Sequence, residues 1–402
     1  MSKENGLSKY RFVILLAIVP SIISTEMMWL TLAPISSIAE KYYGVSSLSI
    51  AMFSMSYMIM YILFSIPASW TVDKFGYRFS LIVGALITAV FGFARVLFAD
   101  NFTIVLIAQF IIAIGQPFLL NISTKVPANW FPISERATAG GILTMAQYIG
   151  FAVPMLLAPM IADQSGIKDV FLVFAIIASI SAVIAIVFTK EKPTVAPPGP
   201  TAPKDEISVK AMLKLIKNKT FLMVLCICFI SIGIFNTLLT LLETILLPRG
   251  ITSSQAGVIG TVFVLAGIIG AVVLPILSDA LHKRTLFFVG NVALLIPIYL
   301  AFTFVPNYLL LNVLAGAAGF LTMGVAPILF QHGTEVAYPL PEGSSLGVIL
   351  LMGQISGALF VYLFDLMQGA SGGSVVFPMI CIVALTIIEL PVALKMQESK
   401  LT

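Results

Sequence analysis

The sequence predicts an all-α integral membrane protein whose twelve transmembrane helices form two pseudo-symmetric six-helix bundles. Hydrophobic residues make up 59% of the 402 residues and charged residues only 10%, which leaves too little polar surface to cover a soluble globule of this size. Apolar runs long enough to span a bilayer, about 20 residues each, follow one another with short polar breaks. One longer polar break separates the first six runs from the last six.

The apolar runs set the bounds of each predicted helix. The first run continues to about Ile38, which is too long for a cleaved signal region, so we expect it to be retained as helix 1. The first six predicted helices cover 12–38, 48–72, 79–99, 103–124, 137–162 and 169–189. The second six cover 220–247, 254–279, 285–303, 307–332, 343–367 and 374–394.

Residues 190–219 are predicted to form a linker. The stretch holds five prolines between Pro193 and Pro203, followed by the charged residues Lys204, Asp205 and Glu206. Such a composition cannot bury enough apolar surface to insert into a bilayer. The predicted domains are therefore an N-terminal half (1–189), a cytoplasmic linker (190–219) and a C-terminal half (220–402).

Lysine and arginine placement predicts the orientation. With the N-terminus inside, the cytoplasmic segments carry 18 of the 22 lysines and arginines. The external loops carry Lys41, Lys168 and Arg249, and Arg95 lies within helix 3. Since cytoplasmic loops are generally enriched in positive charge, we expect both termini inside and a multi-pass protein of the cell (plasma) membrane. The net charge of +4 has the same explanation and indicates no nucleic-acid partner.

Motifs for other function classes are missing from the sequence. Cys226, Cys228 and Cys381 lie inside apolar runs and lack the spacing of a metal site or a disulfide framework. The chain has no phosphate loop and no nucleophile constellation. We therefore expect no enzyme activity, no metal and no cofactor.

Two loops in matching places of the halves share a pattern. The loop after helix 2 reads Asp73-Lys-Phe-Gly-Tyr-Arg78, and the loop after helix 8 reads Asp279-Ala-Leu-His-Lys-Arg284. The helix 2 loop resembles the signature loop of the major facilitator superfamily, and the helix 8 loop resembles a degenerate copy of that signature. The resemblance implies the major facilitator fold and a cytoplasmic gate, for which the candidates are Asp73, Arg78, Asp279, Arg284 and Glu335. The alternative is a pair of ordinary positively charged inner loops.

A narrower set of short motifs spans both halves. They are Tyr43-Gly-Val-Ser46, Ser54-Met-Ser-Tyr-Met58, Asp73-Lys-Phe-Gly76, Gly115-Gln116, Trp130-Phe131, Glu335-Val-Ala-Tyr-Pro339 and Glu342-Gly343. In these motifs the chain is similar to the feline leukaemia virus subgroup C receptor-related family, whose members transport haem, choline or ethanolamine. The resemblance runs from about helix 1 to helix 11 and implies transport of a small solute.

The same resemblance implies a ligand cavity between helices 1, 4, 7 and 11. Trp29 falls where the family has a tryptophan that stacks on a substrate ammonium group, and Gln116 and Gln354 fall at its glutamines. Asn236 stands where the family has a tyrosine that completes the aromatic cage. A quaternary ammonium gains about 0.5 to 2 kcal/mol per ring, so a cage with one ring fewer should bind it more weakly or serve a different ligand.

Each of these four residues also has a structural interpretation. Trp29 lies about seventeen residues into predicted helix 1, where a tryptophan of the interfacial belt is the alternative. Gln116, Asn236 and Gln354 are amides of the kind that hydrogen-bond between helices in membrane bundles. Only their convergence on four helices favours a ligand site.

Two acidic residues inside apolar runs give a signal independent of any family. Glu26 precedes Trp29 by three residues and Glu243 follows Asn236 by seven, so each shares a helix face with its neighbour. A carboxylate in the hydrocarbon region is costly and is kept where it meets a cavity or a partner. We predict that both face the cavity, as a counter-charge for a cationic ligand or as a proton site.

Three other ionisable residues in the runs receive a structural interpretation. Asp365 and Glu389 lie within a turn or two of predicted helix ends, and we expect both to reach water. Arg95, inside helix 3, is expected to snorkel outward or to pair with an acid.

The predicted function is a secondary active or facilitative transporter that moves a small solute, an organic cation such as a choline-like amine, by alternating access. The alternatives are a transporter of haem, porphyrins or organic anions, and a ligand sensor that does not transport on the same scaffold. We expect a monomer whose partners are the small-molecule substrate and the lipid bilayer. Coupling of transport to protons is an open alternative.

Overall fold

A computed structural model describes residues 9–193, 218–337 and 342–398. Within these ranges twelve helices are long and apolar enough to cross a membrane, which confirms the predicted all-α membrane architecture. Most of the predicted linker, 194–217, lies outside the described residues, as do residues 338–341, which include the last two residues of the motif Glu335-Val-Ala-Tyr-Pro339.

The helices are labelled α1 to α12 in chain order. In the first half they are α1 (Tyr10–Trp29, continued by Ser36–Tyr43), α2 (Ser47–Phe75), α3 (Tyr77–Leu97), α4 (Phe102–Leu120, continued by Ile122–Trp130), α5 (Ile133–Ser165) and α6 (Ile167–Phe188). In the second half they are α7 (Lys219–Leu246), α8 (Ser253–Leu281), α9 (Arg284–Phe304), α10 (Tyr308–Val336), α11 (Glu342–Ala370) and α12 (Val376–Lys395).

The first helix of each half is interrupted near one end. The α1 helix stops at Trp29 and restarts at Ser36 after a short 3-10 turn that contains Pro34, because proline has no N–H to continue the helical ladder. The α7 helix has non-helical backbone angles at Leu241, two residues before Glu243. Both interruptions lie beside polar residues of the candidate site.

The described chain clusters into two compact units. The first contains the chain up to Thr31, Lys41–Gly44 and the chain from Met52 to the linker. The second contains Leu32–Glu40, Val45–Ala51 and the chain after the linker. Two short stretches of the predicted first half, at the end of α1 and the start of α2, thus belong to the second unit.

Matching helices make matching contacts inside each unit. In the first unit α1 packs against α5, and α3 packs against both α4 and α6. In the second unit α7 packs against α11, and α9 packs against both α10 and α12. The packing repeats with the chain order, so the two halves are pseudo-symmetric bundles of the kind that the paired loops predict.

Candidate functional site

The first unit contains a buried contact between an acid and an amide. Glu26 on α1 is 1% exposed and Gln116 on α4 is 6% exposed. Gln116 Nε2 donates to both carboxylate oxygens of Glu26, over 3.1 and 3.2 Å. Gln116 Oε1 is buried and accepts no hydrogen bond from a described residue. Two residues that the sequence places on separate helices therefore meet in the interior.

A glycine on α5 makes room for the Glu26 side chain. A Cβ added at Gly150 would lie 2.6 Å from the Glu26 Cβ and 2.9 Å from the Ile23 carbonyl oxygen. No real Cβ contact is that short, so α5 approaches α1 closely here only because position 150 has no side chain. Gly150 is thus a residue of the candidate site, because it allows α5 to lie against the Glu26 side chain.

Trp29 lies one helical turn from Glu26 on α1, and its ring contacts further aromatic rings on α5. Trp29 is 5% exposed, and its Nε1 donates to the Ser54 carbonyl oxygen over 3.1 Å. Its ring meets Phe151 edge-on at 5.2 Å, and Phe151 lies 5.9 Å from the Tyr148 ring. Burial of this kind argues against the interfacial belt, where a tryptophan ring sits at the headgroup level.

The second unit holds the other two predicted ligand residues. Asn236 on α7 is 4% exposed, and its Nδ2 donates to the Gly353 carbonyl oxygen on α11 over 3.4 Å. Gln354, the next residue on α11, is partly exposed and forms no hydrogen bond with a described residue. The four predicted ligand residues therefore divide into two pairs, one pair in each unit.

Glu243 lies in a cluster of hydroxyl groups within the second unit. Its carboxylate accepts hydrogen bonds from the Ser36 and Ser37 hydroxyls, from the Ser37 backbone N–H over 2.9 Å, and from the Ser253 hydroxyl over 2.6 Å. The carboxylate is fully buried and sits at the start of the helix Ser36–Tyr43, where backbone N–H groups lack helical partners. The Glu243 carboxylate therefore caps the N-terminus of the helix Ser36–Tyr43.

The predicted gate loop of the first unit pairs with a residue that the sequence analysis did not single out. Asp73 forms a 2.6 Å ion pair with Lys125 on α4. The Arg78 side chain donates to the Ile186 carbonyl oxygen at the end of α6, over 3.1 Å. Asp73 therefore contacts the second segment of α4 and Arg78 contacts the end of α6, and no hydrogen bond or ion pair joins Asp73 to Arg78 among the described residues.

The corresponding loop of the second unit is arranged differently. Arg284 forms an ion pair with Glu335 at the end of α10, with side-chain exposures of 9% and 12%. Gln331 also donates to Glu335, over 3.0 Å. Asp279 is exposed and forms no ion pair with a described residue. Three of the five predicted gate residues thus form ion pairs: Asp73 in the first unit, and Arg284 and Glu335 in the second.

A family model for the Major Facilitator Superfamily matches residues 14–361. The chain belongs to the Major Facilitator Superfamily. Among solved structures of this fold, a bacterial homologue of the human lysosomal transporter Spinster, in an inward-facing and unoccupied conformation, superposes with a TM-score of 0.78. Its sequence is 17% identical, and the match covers 96% of this chain and 97% of that one.

Several curated relatives of this superfamily member are named as transporters. The zebrafish choline/ethanolamine transporter flvcr2b is 29% identical over 377 residues, which are 89% of this chain and 78% of that protein. The human choline/ethanolamine transporter FLVCR2 is 28% identical and covers 88% of this chain and 71% of its own length. Zebrafish solute carrier family 49 member A3 is 30% identical, with coverages of 85% and 75%. The resemblance inferred from short motifs is confirmed, and the chain is a transporter and not an enzyme.

Arg95 corrects one expectation for this superfamily member. The sequence predicted that Arg95 would snorkel outward or pair with an acid, but its side chain is fully buried and forms no ion pair with a described residue. Nη1 donates to Gln109 Oε1 over 2.7 Å, Nη2 contacts the Met28 sulfur, and the guanidinium lies 4.9 Å from the Phe171 ring centroid. A neutral amide and a ring face replace the expected acid.

Glu389 corrects a second expectation. The sequence placed it near a helix end, within reach of water, but the carboxyl is 2% exposed. Ser231 on α7 donates to it over 2.5 Å. Asp365, for which the same expectation was stated, is partly exposed. Proximity to a helix end did not predict access to water because α12 packs against α7 and α9, and Glu389 lies in that packing with Ser231 of α7 as its donor.

Two further acids, missed by the sequence analysis, cap matching helices. Glu191 accepts hydrogen bonds from the backbone N–H groups of Tyr77 and Arg78, over 3.2 and 2.9 Å, at the start of α3. Glu398 accepts from the backbone N–H groups of Arg284 and Thr285, over 3.1 and 2.9 Å, at the start of α9. Glu191 and Glu398 are separated by 207 residues, as are Tyr77 and Arg284.

The Glu191 cap explains the glycine of the signature loop. Gly76 has a φ of +92°, and a Cβ added there would overlap the Glu191 carboxylate. Burial raises the pKa of the Glu191 carboxyl above its usual range, while the N–H groups of Arg78 and Tyr77 lower it. A repeat of acids after α6 and α12 was the sequence signal that could have identified these caps.

Proposed function

We propose that this superfamily member is a secondary active or facilitative transporter that moves a small organic cation, such as a choline-like amine, by alternating access. The observation that carries the proposal is the Glu26 carboxylate. It is 1% exposed inside a membrane-spanning helix, forms no ion pair with a described residue and, unlike Glu243 with its four donors, receives hydrogen bonds from one described nitrogen, Gln116 Nε2. Such a group is kept where it meets a cation or a proton, because its burial in hydrocarbon is costly.

Aromatic surroundings support a cation as the cargo. Trp29 lies one turn from Glu26, with Phe151 and Tyr148 beyond it. A ring face next to a carboxylate attracts an organic cation both through the ring quadrupole and through the full charge. The names of the curated relatives, choline/ethanolamine transporters, support the same class of cargo.

Different observations weigh against the two alternatives, an anion transporter and a ligand sensor. A porphyrin carboxylate or another organic anion would be repelled by a negative charge at Glu26, and the cost of that repulsion rises in a low-dielectric interior. A sensor that binds without transporting needs no second arrangement of the halves. The glycine and proline residues inside α5 and α8 and the repeated contacts of the two units support a transporter.

The proposal includes the setting of the protein in the cell. The excess of lysine and arginine in alternate loops supports cytoplasmic termini. We place the protein in the plasma membrane as a monomer, with Asp73, Arg78, Arg284 and Glu335 forming contacts that close the cytoplasmic side in one state. Asp279, which is exposed, has the smallest part in that closure.

The central test is transport by the purified protein. We expect proteoliposomes to take up radiolabelled choline or ethanolamine with saturation, and unlabelled cation on the far side to accelerate exchange. Binding in detergent without saturable flux would show a sensor. Saturable uptake of organic anions alone would contradict the proposed cargo.

Substitution of Glu26 tests the role of the carboxylate. If Glu26 is the counter-charge, Glu26→Gln weakens cation binding at every pH. If Glu26 carries a proton, the variant keeps its binding, its flux loses pH dependence and it cannot accumulate substrate uphill. Asp163→Asn is the matched control, since Asp163 is an exposed acid on α5 of the same unit. Unaltered affinity and pH dependence in Glu26→Gln would overturn the site.

A further inference from the structure

We propose that Glu26 and Gln116 select the cargo by its N–H groups, so that a protonated primary amine binds more tightly than a quaternary ammonium of the same charge. The inference rests on the proposed function, since it specifies which organic cations that function serves. It arises from hydrogen-bonding capacity that the described residues leave unused at this pair.

The two side chains present more acceptor capacity than they use. A carboxylate offers about four lone-pair positions. The Glu26 carboxylate receives hydrogen bonds from a single nitrogen, Gln116 Nε2, over 3.1 and 3.2 Å. Gln116 Oε1, on the same amide, is buried and has no donor among the described residues. Three oxygens thus lie close together, and within the described part of the chain one nitrogen is their only hydrogen-bond donor.

Unused acceptors in a buried site discriminate between ligands. A primary ammonium carries three N–H donors, as lysine does, and can donate to the carboxylate and to the amide oxygen together. A quaternary ammonium carries the same charge but no N–H, so it would leave these oxygens without water and without donors. Sites built to hydrogen-bond a polar group reject analogues that lack the group much more strongly than apolar pockets reject a missing methylene.

The aromatic neighbours cannot make the same distinction. Trp29 Nε1 already donates to the Ser54 carbonyl oxygen, so the face of the ring is what remains for a ligand. A ring face attracts methylated and unmethylated ammonium groups alike. The charge of Glu26 also acts on both, because Coulomb attraction depends on charge and distance. Only the hydrogen bonds to Glu26 and Gln116 depend on the number of N–H groups.

A series of ligands with equal charge tests the inference. Ethanolamine and its mono-, di- and trimethylated derivatives all carry one positive charge at neutral pH and differ by one N–H at each step. We expect the half-saturating concentration for inhibition of labelled ethanolamine uptake into proteoliposomes to rise at each methylation, by roughly tenfold or more over the series.

An isomer separates N–H count from size. 2-Amino-2-methyl-1-propanol has the same formula as N,N-dimethylethanolamine but keeps a primary amine. We expect it to compete at least several-fold better than its isomer. If the two isomers compete equally, or if choline competes best, the inference is wrong while the proposed function stands. If none of these cations is transported with saturation, the proposed function itself fails.

Variants assign the selectivity to the pair. Gln116→Met removes the amide with little change in size, and we expect the ratio between the two isomers to fall towards one. Gln368→Met is the matched control, because Gln368 is a residue at the end of α11 whose side chain donates to the Gly373 carbonyl oxygen at the surface. An isomer ratio in Gln116→Met equal to that of the wild type would exclude Gln116 as the selecting residue.

Discussion

Glu26 and Glu243 are both buried carboxylates in the first helix of a half, yet their surroundings differ. Glu26 is 1% exposed and receives hydrogen bonds from one amide nitrogen. Glu243 is fully buried and receives hydrogen bonds from three serine hydroxyls and one backbone N–H. The difference teaches that burial alone does not identify a ligand-binding acid. The number of hydrogen-bond donors is more informative, because the Glu243 carboxylate is surrounded by donors as a helix cap is, whereas the Glu26 carboxylate can still accept hydrogen bonds from a ligand.

The internal repeat does not duplicate either carboxylate. With the offset of 207 residues that relates the caps of α3 and α9, Glu26 corresponds to Gly233 and Glu243 corresponds to Ser36. Each acid is therefore specific to its own half. We infer that Glu243 holds Ser36 and Ser37, which belong to the stretch Leu32–Glu40 of the second unit, and that the roles predicted for both acids are best assigned to Glu26.

The largest effect expected from this comparison is on stability. Glu243→Gln removes the charge that four donors surround and adds two donors of its own, so we expect a loss of about 3 kcal/mol. Glu26→Gln should leave stability unchanged or raise it, since two amides can pair with each other. Thermal melting of the purified proteins in detergent measures both. Equal melting of Glu243→Gln and wild type would remove the distinction between the two acids.

A single donor to Glu243 should have a smaller effect. Ser253 donates to the carboxylate over 2.6 Å, and a hydrogen bond to a charged group contributes about 1.5 to 3 kcal/mol. We expect Ser253→Ala to melt at a lower temperature than Ser254→Ala, its neighbour at the same helix start. In the Glu243→Gln background the Ser253 substitution should cost much less, because the two residues act together. Additive effects would show that Ser253 acts elsewhere.

Much of the architecture could be predicted because it depends on local composition. The apolar runs indicated twelve helices whose bounds agree with the structure to within a few residues in most cases, and the paired loops indicated the repeat. Burial of Glu26 and Glu243 also followed from the high cost of acids in apolar runs.

The partners of the buried polar residues could not be predicted in the same way. Lys125 lies 52 residues from Asp73, and Ser36 lies 207 residues from Glu243. Neither separation is a helical period, and the 207-residue repeat relates matching positions of the two halves without predicting that their side chains meet. Arg95 meets Gln109 where an acid was expected, because a neutral amide and a ring can also receive a guanidinium. Which residues meet depends on helix rotation and packing, which a single sequence does not encode in its pattern.

Substitutions beside the caps of α3 and α9 are expected to change stability by an intermediate amount. Gly76 has a positive φ and no room for a Cβ beside Glu191, whereas Lys283, at the matching position before α9, has a φ of −138°. We expect Gly76→Ala to cost about 1 to 3 kcal/mol and Lys283→Ala to cost almost nothing. Melting temperatures compare them. If both alanine variants melt like the wild type, the Glu191 cap does not constrain the loop.

The smallest stability effect is expected at the ion pair between Asp73 and Lys125. Its side chains are 36% and 24% exposed, and exposed pairs contribute about 0 to 1 kcal/mol, so Asp73→Asn should melt close to the wild type. The buried pair between Arg284 and Glu335 should respond more strongly, because removing one partner leaves an uncompensated charge.

Transport measurements sharpen this last contrast. If the Asp73 pair closes a gate, Asp73→Asn should slow flux several-fold while ligand affinity in detergent stays within a few-fold, because the pair acts on the equilibrium between states and not on the ligand. The exchanged variant, Asp73→Lys with Lys125→Asp, should recover part of the lost flux since the attraction is restored with the charges reversed. Unchanged flux in Asp73→Asn would mean that the loop is an ordinary charged segment. Slow flux in both the single and the exchanged variants would place the role of Asp73 outside its pair with Lys125.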